Sequence, residues 1–296
     1  MSHFAQLKFT EKTYNFFMKF QKIYIELSDI CGLNCEFCPA KKARRGVMGL
    51  ENFEKIAKKI HNKARIFTFH ILGDPLCLPD IKAYVEVAQK YNMSLELTSS
   101  AFYLDENIQK LLYEAKNIRQ INFSLASFFS QNKKSFDEYT RPLLEFLSLD
   151  FKHKFVNLRL WNLDKNAEFL KTNERFYSLF EDFFKIKINT KEPRIRLKDY
   201  VILEQKYRFD WSFKNTVQER GYCHALSKQI GVLSNALLVP CCMDYDGVLS
   251  LGNLLDSDLD ELLKGKKAMD MKEGFKKGIL TQELCKKCSF AKPKLC

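Results

Sequence analysis

Between residues 22 and 188, short apolar runs alternate with stretches of helical period, and this limits the fold more than anything else in the chain. Lys22–Ser28, Ile66–Leu72, Leu95–Leu97, Ile121–Leu125, Phe155–Leu160 and Ile186–Ile188 read as six strands. Helices fall between them. Phe53, Ile56, Ala57 and Ile60 recur at i, i+3, i+4 and i+7. Ile81, Tyr84, Val85 and Ala88 follow Pro79, and Asp105 stands as N-cap before Ile108, Leu111 and Leu112. Further helices are expected over about 133–147 and over Phe169–Phe184. Six such units predict an α/β fold on a parallel sheet, which a doubly wound sheet and a barrel satisfy equally.

The first strand runs into Cys31-Gly-Leu-Asn-Cys35-Glu-Phe-Cys38. Thiolates are soft ligands suited to iron–sulfur clusters or zinc. A fully ligated [4Fe–4S] cube takes four cysteines, so three would leave one iron open. A closed zinc site needs a fourth ligand, and none follows nearby. His61 and His70 are expected on a helix and a strand that point them elsewhere.

This C-x3-C-x2-C loop, with the aromatic Phe37 before its last cysteine, resembles the signature of the radical S-adenosylmethionine (SAM) enzymes. The resemblance implies that the open iron chelates SAM, which is cleaved to a 5′-deoxyadenosyl radical that abstracts hydrogen from substrate. It also tips the fold to a partial (β/α)6 TIM-type barrel, with its chemistry at the C-terminal ends of the strands. Leu72-Gly73-Asp74-Pro75 is similar to the family's second motif, G-G-E-P, which holds the SAM amino group; here Leu72 and Asp74 replace its first Gly and its Glu. Ser99, Ser124 and Ser127 at strand ends are implied ribose contacts, Asn157 and Arg159 contacts to the carboxylate, and Phe37 a neighbour of the adenine. Cys77 is expected to be a buried structural thiol.

Near residue 205 the helix-period units stop, and Cys, Gly and short strands take over. Six of the ten cysteines lie here, including the pair Cys285-x2-Cys288. With Gly221-Tyr222-Cys223, Pro240-Cys241-Cys242 and Leu251-Gly252-Asn253-Leu254, the stretch resembles the auxiliary-cluster domain called SPASM or, when shortened, twitch. The resemblance implies one auxiliary [4Fe–4S] cluster on Cys223, Cys241, Cys285 and Cys288, with Cys242 turned away and Cys296 spare; zinc could use the same four thiols. The expected organisation is an N-terminal extension over 1–20, a radical SAM core over 21–204 and a Cys-rich SPASM/twitch-like domain over 205–296.

Two clusters suggest a dehydrogenation of an alcohol or amine, with the auxiliary cluster accepting an electron. An inosamine dehydrogenase of aminoglycoside biosynthesis is similar in this one-auxiliary-cluster arrangement. The rival is a peptide-modifying maturase, against which the early position of Cys31 is expected to speak, because it leaves no room for a leading recognition domain. A zinc-stapled nucleic-acid-binding protein is a third reading. The net charge of +12 favours it only weakly, since the lysines spread along helix faces and the tail as solvated surface. A low-potential donor such as flavodoxin or ferredoxin is the expected partner. With no export signal, no apolar run of spanning length and cysteines at ligand spacing, the expectation is a cytoplasmic protein without a membrane partner.

Overall fold

A computed structural model describes residues 20–39, 44–163, 168–207 and 217–291. The expected N-terminal extension, apart from Phe20, and Cys296 lie outside the described residues.

Strands β1 (Phe20–Ile25), β2 (Ala64–Phe69), β3 (Leu95–Ser99), β4 (Ile118–Ser124) and β5 (Phe155–Leu163) pair in parallel, in chain order. Helices α1 (Leu50–Ile60), α2 (Ile81–Lys90), α3 (Glu106–Glu114) and α4 (Phe136–Ser148) connect them, and α5 (Glu168–Phe184) follows β5. The helices bury the faces that their spacing predicts: Phe53, Ile56, Ala57 and Ile60 in α1, and Ile81, Tyr84, Val85 and Ala88 in α2. Asp105 caps α3 by accepting from the Ile108 amide at 2.8 Å. Ser135 and Glu138 form a reciprocal capping box on α4. The far end of α3 is closed by Lys154, whose buried ammonium donates to the Leu112, Tyr113 and Ala115 carbonyls. Burial pushes that ammonium down to about 8.

The sixth parallel strand is not Ile186–Ile188, which forms no strand. Lys187 is exposed there, and the Ile188 amide donates to the Glu181 carboxylate at 2.8 Å rather than to a neighbouring strand. The place beside β5 is taken by β7 (Val201–Tyr207), entered through an antiparallel hairpin from β6 (Arg194–Lys198). Val201, Ile202 and Leu203 are all buried in succession, as a strand covered on both faces requires.

The sheet also continues on the other side. β8 (Gln229–Val232) pairs in parallel with β1, and β9 (Leu238–Val239) pairs antiparallel with β8, giving the order β6-β7-β5-β4-β3-β2-β1-β8-β9. The result is an open, partial barrel in which β1 has a neighbour on either side. The cysteine-bearing C-terminal part is built on the edge of β1 rather than hung beside the barrel. Short helices α6 (Leu259–Leu262), α7 (Lys266–Lys277) and α8 (Glu283–Lys286) complete it. None of the described helices is long and apolar enough to cross a membrane.

Alternate residues of the strands face the concave side. They are polar: Lys22 bridges to Glu96, Thr68 donates to Glu96, and Asn157 to Asn122. At the rim, Glu26 forms a fork-shaped pair with Arg45, Nε at 3.0 Å and Nη2 at 2.8 Å, and also accepts from the Ser234 amide at 3.0 Å. The Glu26 side chain has no solvent access. Glu26→Gln would therefore leave a buried guanidinium without its counter-charge, and we expect a loss of about 3–5 kcal/mol of unfolding free energy. Anaerobic denaturant titration checks this, and a loss below about 1 kcal/mol, the range of an exposed pair, would contradict it.

Candidate functional site

The cysteine loop is a closed excursion from the end of β1. The Met48 amide returns to the Leu27 carbonyl at 2.8 Å, and Ser28 bridges to Val47. Within the loop, the Cys38 amide donates to the Cys35 carbonyl at 2.9 Å. The outside is tied down by the segments opposite: Tyr103 Oη donates to the Cys31 carbonyl, Lys133 Nζ to the Gly32 carbonyl, and the Asn34 amide to Gln131 Oε1. Gln131 Nε2 also donates to Cys35 Sγ at 3.5 Å. Burial pushes the Cys35 thiol up to about 12, and the neighbouring Cys38 and Cys31 add to it, so the three sulfurs stand within electrostatic reach of one another.

These cysteines line a cavity of about 130 Å³. Phe37, Gly73, Asp74, Ser99, Ser124 and Ser127 line it too, so most of the residues singled out in the sequence converge on one place. Asn157 and Arg159 are not among the lining residues. Asn157 pairs with Asn122, and Arg159 stands one strand beyond Ser124, paired loosely with Glu204 at 3.9 Å. Cys77 is half-buried and lines a separate, wider groove with Tyr103 and Arg141.

The Gly73 turn could not be made by another residue. Its φ is +69°, and a Cβ there would stand 2.1 Å from the Ser28 carbonyl oxygen. Ile71, just before it, also has a positive φ of 117°, a strained state for a β-branched residue. What holds the turn is Asp74. Its buried carboxylate accepts from the Leu76 amide (3.0 Å), Ser99 Oγ (3.0 Å), the Ser100 amide (2.7 Å) and Ser100 Oγ (2.6 Å). Three of these donors share Oδ2, while Oδ1 accepts from Leu76 alone. Burial raises the carboxyl's pKa while those donors lower it. Asp74 thus buckles the ends of β2 and β3 together.

Three participants lacked a signal of their own in the sequence. Ser100 and Gln131 become important only through partners 26 and 96 residues away. His70, expected to point elsewhere, lines the cavity. It follows Thr68 by two on the concave face, so strict alternation along β2 would have placed it. Burial, with Arg159 and Lys22 in reach, pushes its imidazole down to about 3, so it is neutral at physiological pH.

A second group of thiols lies in the C-terminal part. Cys223, Cys241, Cys285 and Cys288 come from a loop, the turn after β9, α8 and the turn after it. Burial raises all four, with Cys285 reaching about 12, and the neighbours that raise Cys223, Cys241 and Cys285 further include one another and Cys288. The turn of the Cys285 pair is clamped by Gln218, whose amide donates to the Lys286 carbonyl and whose Nε2 donates to the Cys288 and Ala291 carbonyls. Cys242 packs with Ile71 and Leu72, and its thiol is hydrogen-bonded with Tyr24, yet it stays within electrostatic reach of Cys241 and Cys288. Among the described residues no three His, Cys, Asp or Glu converge as ligands of one metal ion would. Ligands of a cubane need not, because each thiolate holds a different iron. Both donor sets, three thiols around a cavity and four buried thiols, suit [4Fe–4S] clusters.

Residues 25–157 match the Radical SAM superfamily, and residues 223–289 match the SPASM iron–sulfur cluster-binding domain. No curated protein matches the chain. Among solved structures, BtrN in an open conformation is similar over 91% of this chain and 92% of its own, with TM-score 0.57 and 14% identity. Streptococcus suis SuiB bound to the precursor peptide SuiA is similar over 90% of this chain and 69% of its own, with TM-score 0.61 and 15% identity. Tagged anSMEcpe with bound AdoMet is similar over 90% of this chain and 83% of its own, with TM-score 0.60 and 17% identity. At these identities the likeness is one of fold.

Gly73→Ala should push the turn off the Ser28 carbonyl and displace the cavity wall. We expect at least about a tenfold loss of SAM affinity, equivalent to about 1.4 kcal/mol. Anaerobic equilibrium binding measures it, and unchanged affinity would show that the turn does not shape the SAM site.

Proposed function

Because the chain belongs to the radical SAM proteins and carries a C-terminal SPASM-type domain, we propose that it is a dehydrogenase of a substrate alcohol or amine, working with two [4Fe–4S] clusters and SAM. The convergence of Cys31, Cys35 and Cys38 on the cavity that also holds Gly73, Ser99, Ser124 and Ser127 supports this reading most directly. When bound, the cluster and SAM supply a 5′-deoxyadenosyl radical that takes a hydrogen atom from substrate.

The chain's own residues bind and orient. Cys31, Cys35 and Cys38 would hold the first cluster, and the Gln131 amide donates to Cys35 Sγ, a bond that favours its thiolate. The Gly73 turn would present carbonyls to the SAM amino group, and Ser99, Ser124 and Ser127 would face its ribose, with Phe37 near the adenine. Net oxidation requires the substrate to lose a hydrogen atom, then a proton and an electron. Cys223, Cys241, Cys285 and Cys288 would hold the acceptor of that electron. A flavodoxin- or ferredoxin-type donor would supply the electron that SAM cleavage consumes. Such chemistry fits a reducing cytoplasm, with the radical SAM core giving way to the cluster-binding part near residue 205.

A peptide substrate is the second reading, favoured by the similarity to SuiB bound to its precursor peptide. A panel of alcohols, amines and peptides, scored by substrate-dependent 5′-deoxyadenosine, separates the two. Anaerobic reconstitution should give about eight irons per chain, from two four-iron cubes. Zinc without colour would overturn the proposal. Cys31, Cys35 and Cys38 replaced together by Ala should halve the iron and abolish 5′-deoxyadenosine formation in dithionite, and persistence of that product would refute the assignment. Cys285 and Cys288 replaced by Ala should likewise halve the iron yet keep SAM cleavage while substrate oxidation stops. Native-rate oxidation by that folded one-cluster variant would rule out the acceptor role.

A further inference from the structure

One charged group on the concave face has a function that neither cluster explains. Arg159 on β5 stands in register with Ser124 of β4 on one side and Glu204 of β7 on the other. Its Nε is buried and has no hydrogen-bond partner among the described residues. Its ion-pair partner, Glu204 Oε2, stands at 3.9 Å, too far for a hydrogen bond. Glu204 is engaged elsewhere: Oε2 accepts from Trp161 Nε1 at 3.2 Å, and Oε1 pairs with Lys206 at 2.9 Å. The guanidinium lies over the Trp161 ring at 4.4 Å, a contact that holds it in place without using its donors. About 16% of the side chain stays accessible. Burying a guanidinium whose fork is unfilled is costly, and structures keep such a group where a partner arrives.

The direction of that partner follows from the neighbours. Arg159 acts electrostatically on His70 and Tyr24 across the open barrel, and His70 and Ser124 both line the cysteine cavity. Among the described residues, the ion pairs around it join Lys22 to Glu96 and both Arg159 and Lys206 to Glu204, so Arg159 shares its carboxylate partner with a second cation. His70 adds no charge, being neutral. A planar guanidinium whose Nε has no hydrogen-bond partner among the described residues suits a carboxylate, which it binds through two parallel hydrogen bonds.

We infer that Arg159, held against Trp161, receives a carboxylate of the substrate and so presents a neighbouring C–H bond to the cysteine cavity. The inference rests on the proposed function and names the substrate class, a carboxylic acid. It moves Arg159 from the expected contact with SAM's own carboxylate to the substrate.

The test uses protein carrying both clusters and saturated with SAM, titrated anaerobically with acetate, acetamide and inorganic phosphate while its thermal midpoint is followed. Acetate should raise the midpoint, and acetamide, of the same shape but uncharged, should not. Arg159→Gln should raise the acetate concentration needed by about tenfold or more, as expected for losing a charge-assisted pair, and Arg159→Lys should restore part of the response. No acetate response in the wild type, an equal response in Arg159→Gln, or a stronger response to phosphate would each overturn the inference. So would competition between acetate and SAM, which would return the guanidinium to the methionine carboxylate. The titration needs no SAM cleavage, so it fails or succeeds independently of the 5′-deoxyadenosine assay.

Discussion

A single buried carboxylate ties the parts of this protein together. Glu26 closes β1, grips Arg45 where the chain returns from the cysteine loop, and accepts from Ser234 in the C-terminal part. An ion removed from water must have its charge and lone pairs matched, so the three segments cannot drift apart without exposing a heavy desolvation cost. Asp29, three residues on, accepts from the Arg45 and Gly46 amides and repeats the device. The excursion carrying the three cysteines therefore starts and ends at one rigid point.

The second constraint is backbone approach. At Gly73 the turn after β2 presses against the Ser28 carbonyl, and at Gly231 a Cβ would stand 2.8 Å from Val239 and 3.5 Å from the Cys241 carbonyl. Both contacts lie on strands next to β1 or the turns that follow them. They bring the wall of the cysteine cavity and the turn that carries Cys241 to the two sides of one strand. Cys242, bonded with Tyr24 of β1, lies between them. The two cysteine sets are thus linked through β1 and its neighbours.

Much of the fold was legible because most of its elements obey one period. Helices α1 and α2 buried the residues their spacing named, and Asp105 capped α3. The last core strand was misplaced because Ile186-Lys187-Ile188 alternates like a strand but has no neighbour to pair with, whereas Val201–Leu203 lies behind a hairpin that local pattern does not reveal. The site was legible where motif residues are close in sequence, as at Cys31–Cys38 and Gly73–Asp74. Asp74 gained a second meaning: its carboxylate ties Ser99, Ser100 and Leu76 together, which only the apposition of β2 and β3 could show.

The sequence by itself determined the repeating strand–helix units, the Cys31–Cys38 loop and the glycine turn, because each is encoded in residues a few positions apart, whereas the thiols spread from Cys223 to Cys288 were grouped only through the family resemblance. The tertiary structure alone decided that the C-terminal part extends the sheet from β1, and that Arg159 stands beyond the cavity with its Nε unpartnered among the described residues. Those outcomes depend on register between strands far apart in the chain, such as Tyr24 with Gly231 and Ser124 with Arg159. A shift of one residue would turn each of these side chains to the opposite face, and nothing local to them specifies which register wins.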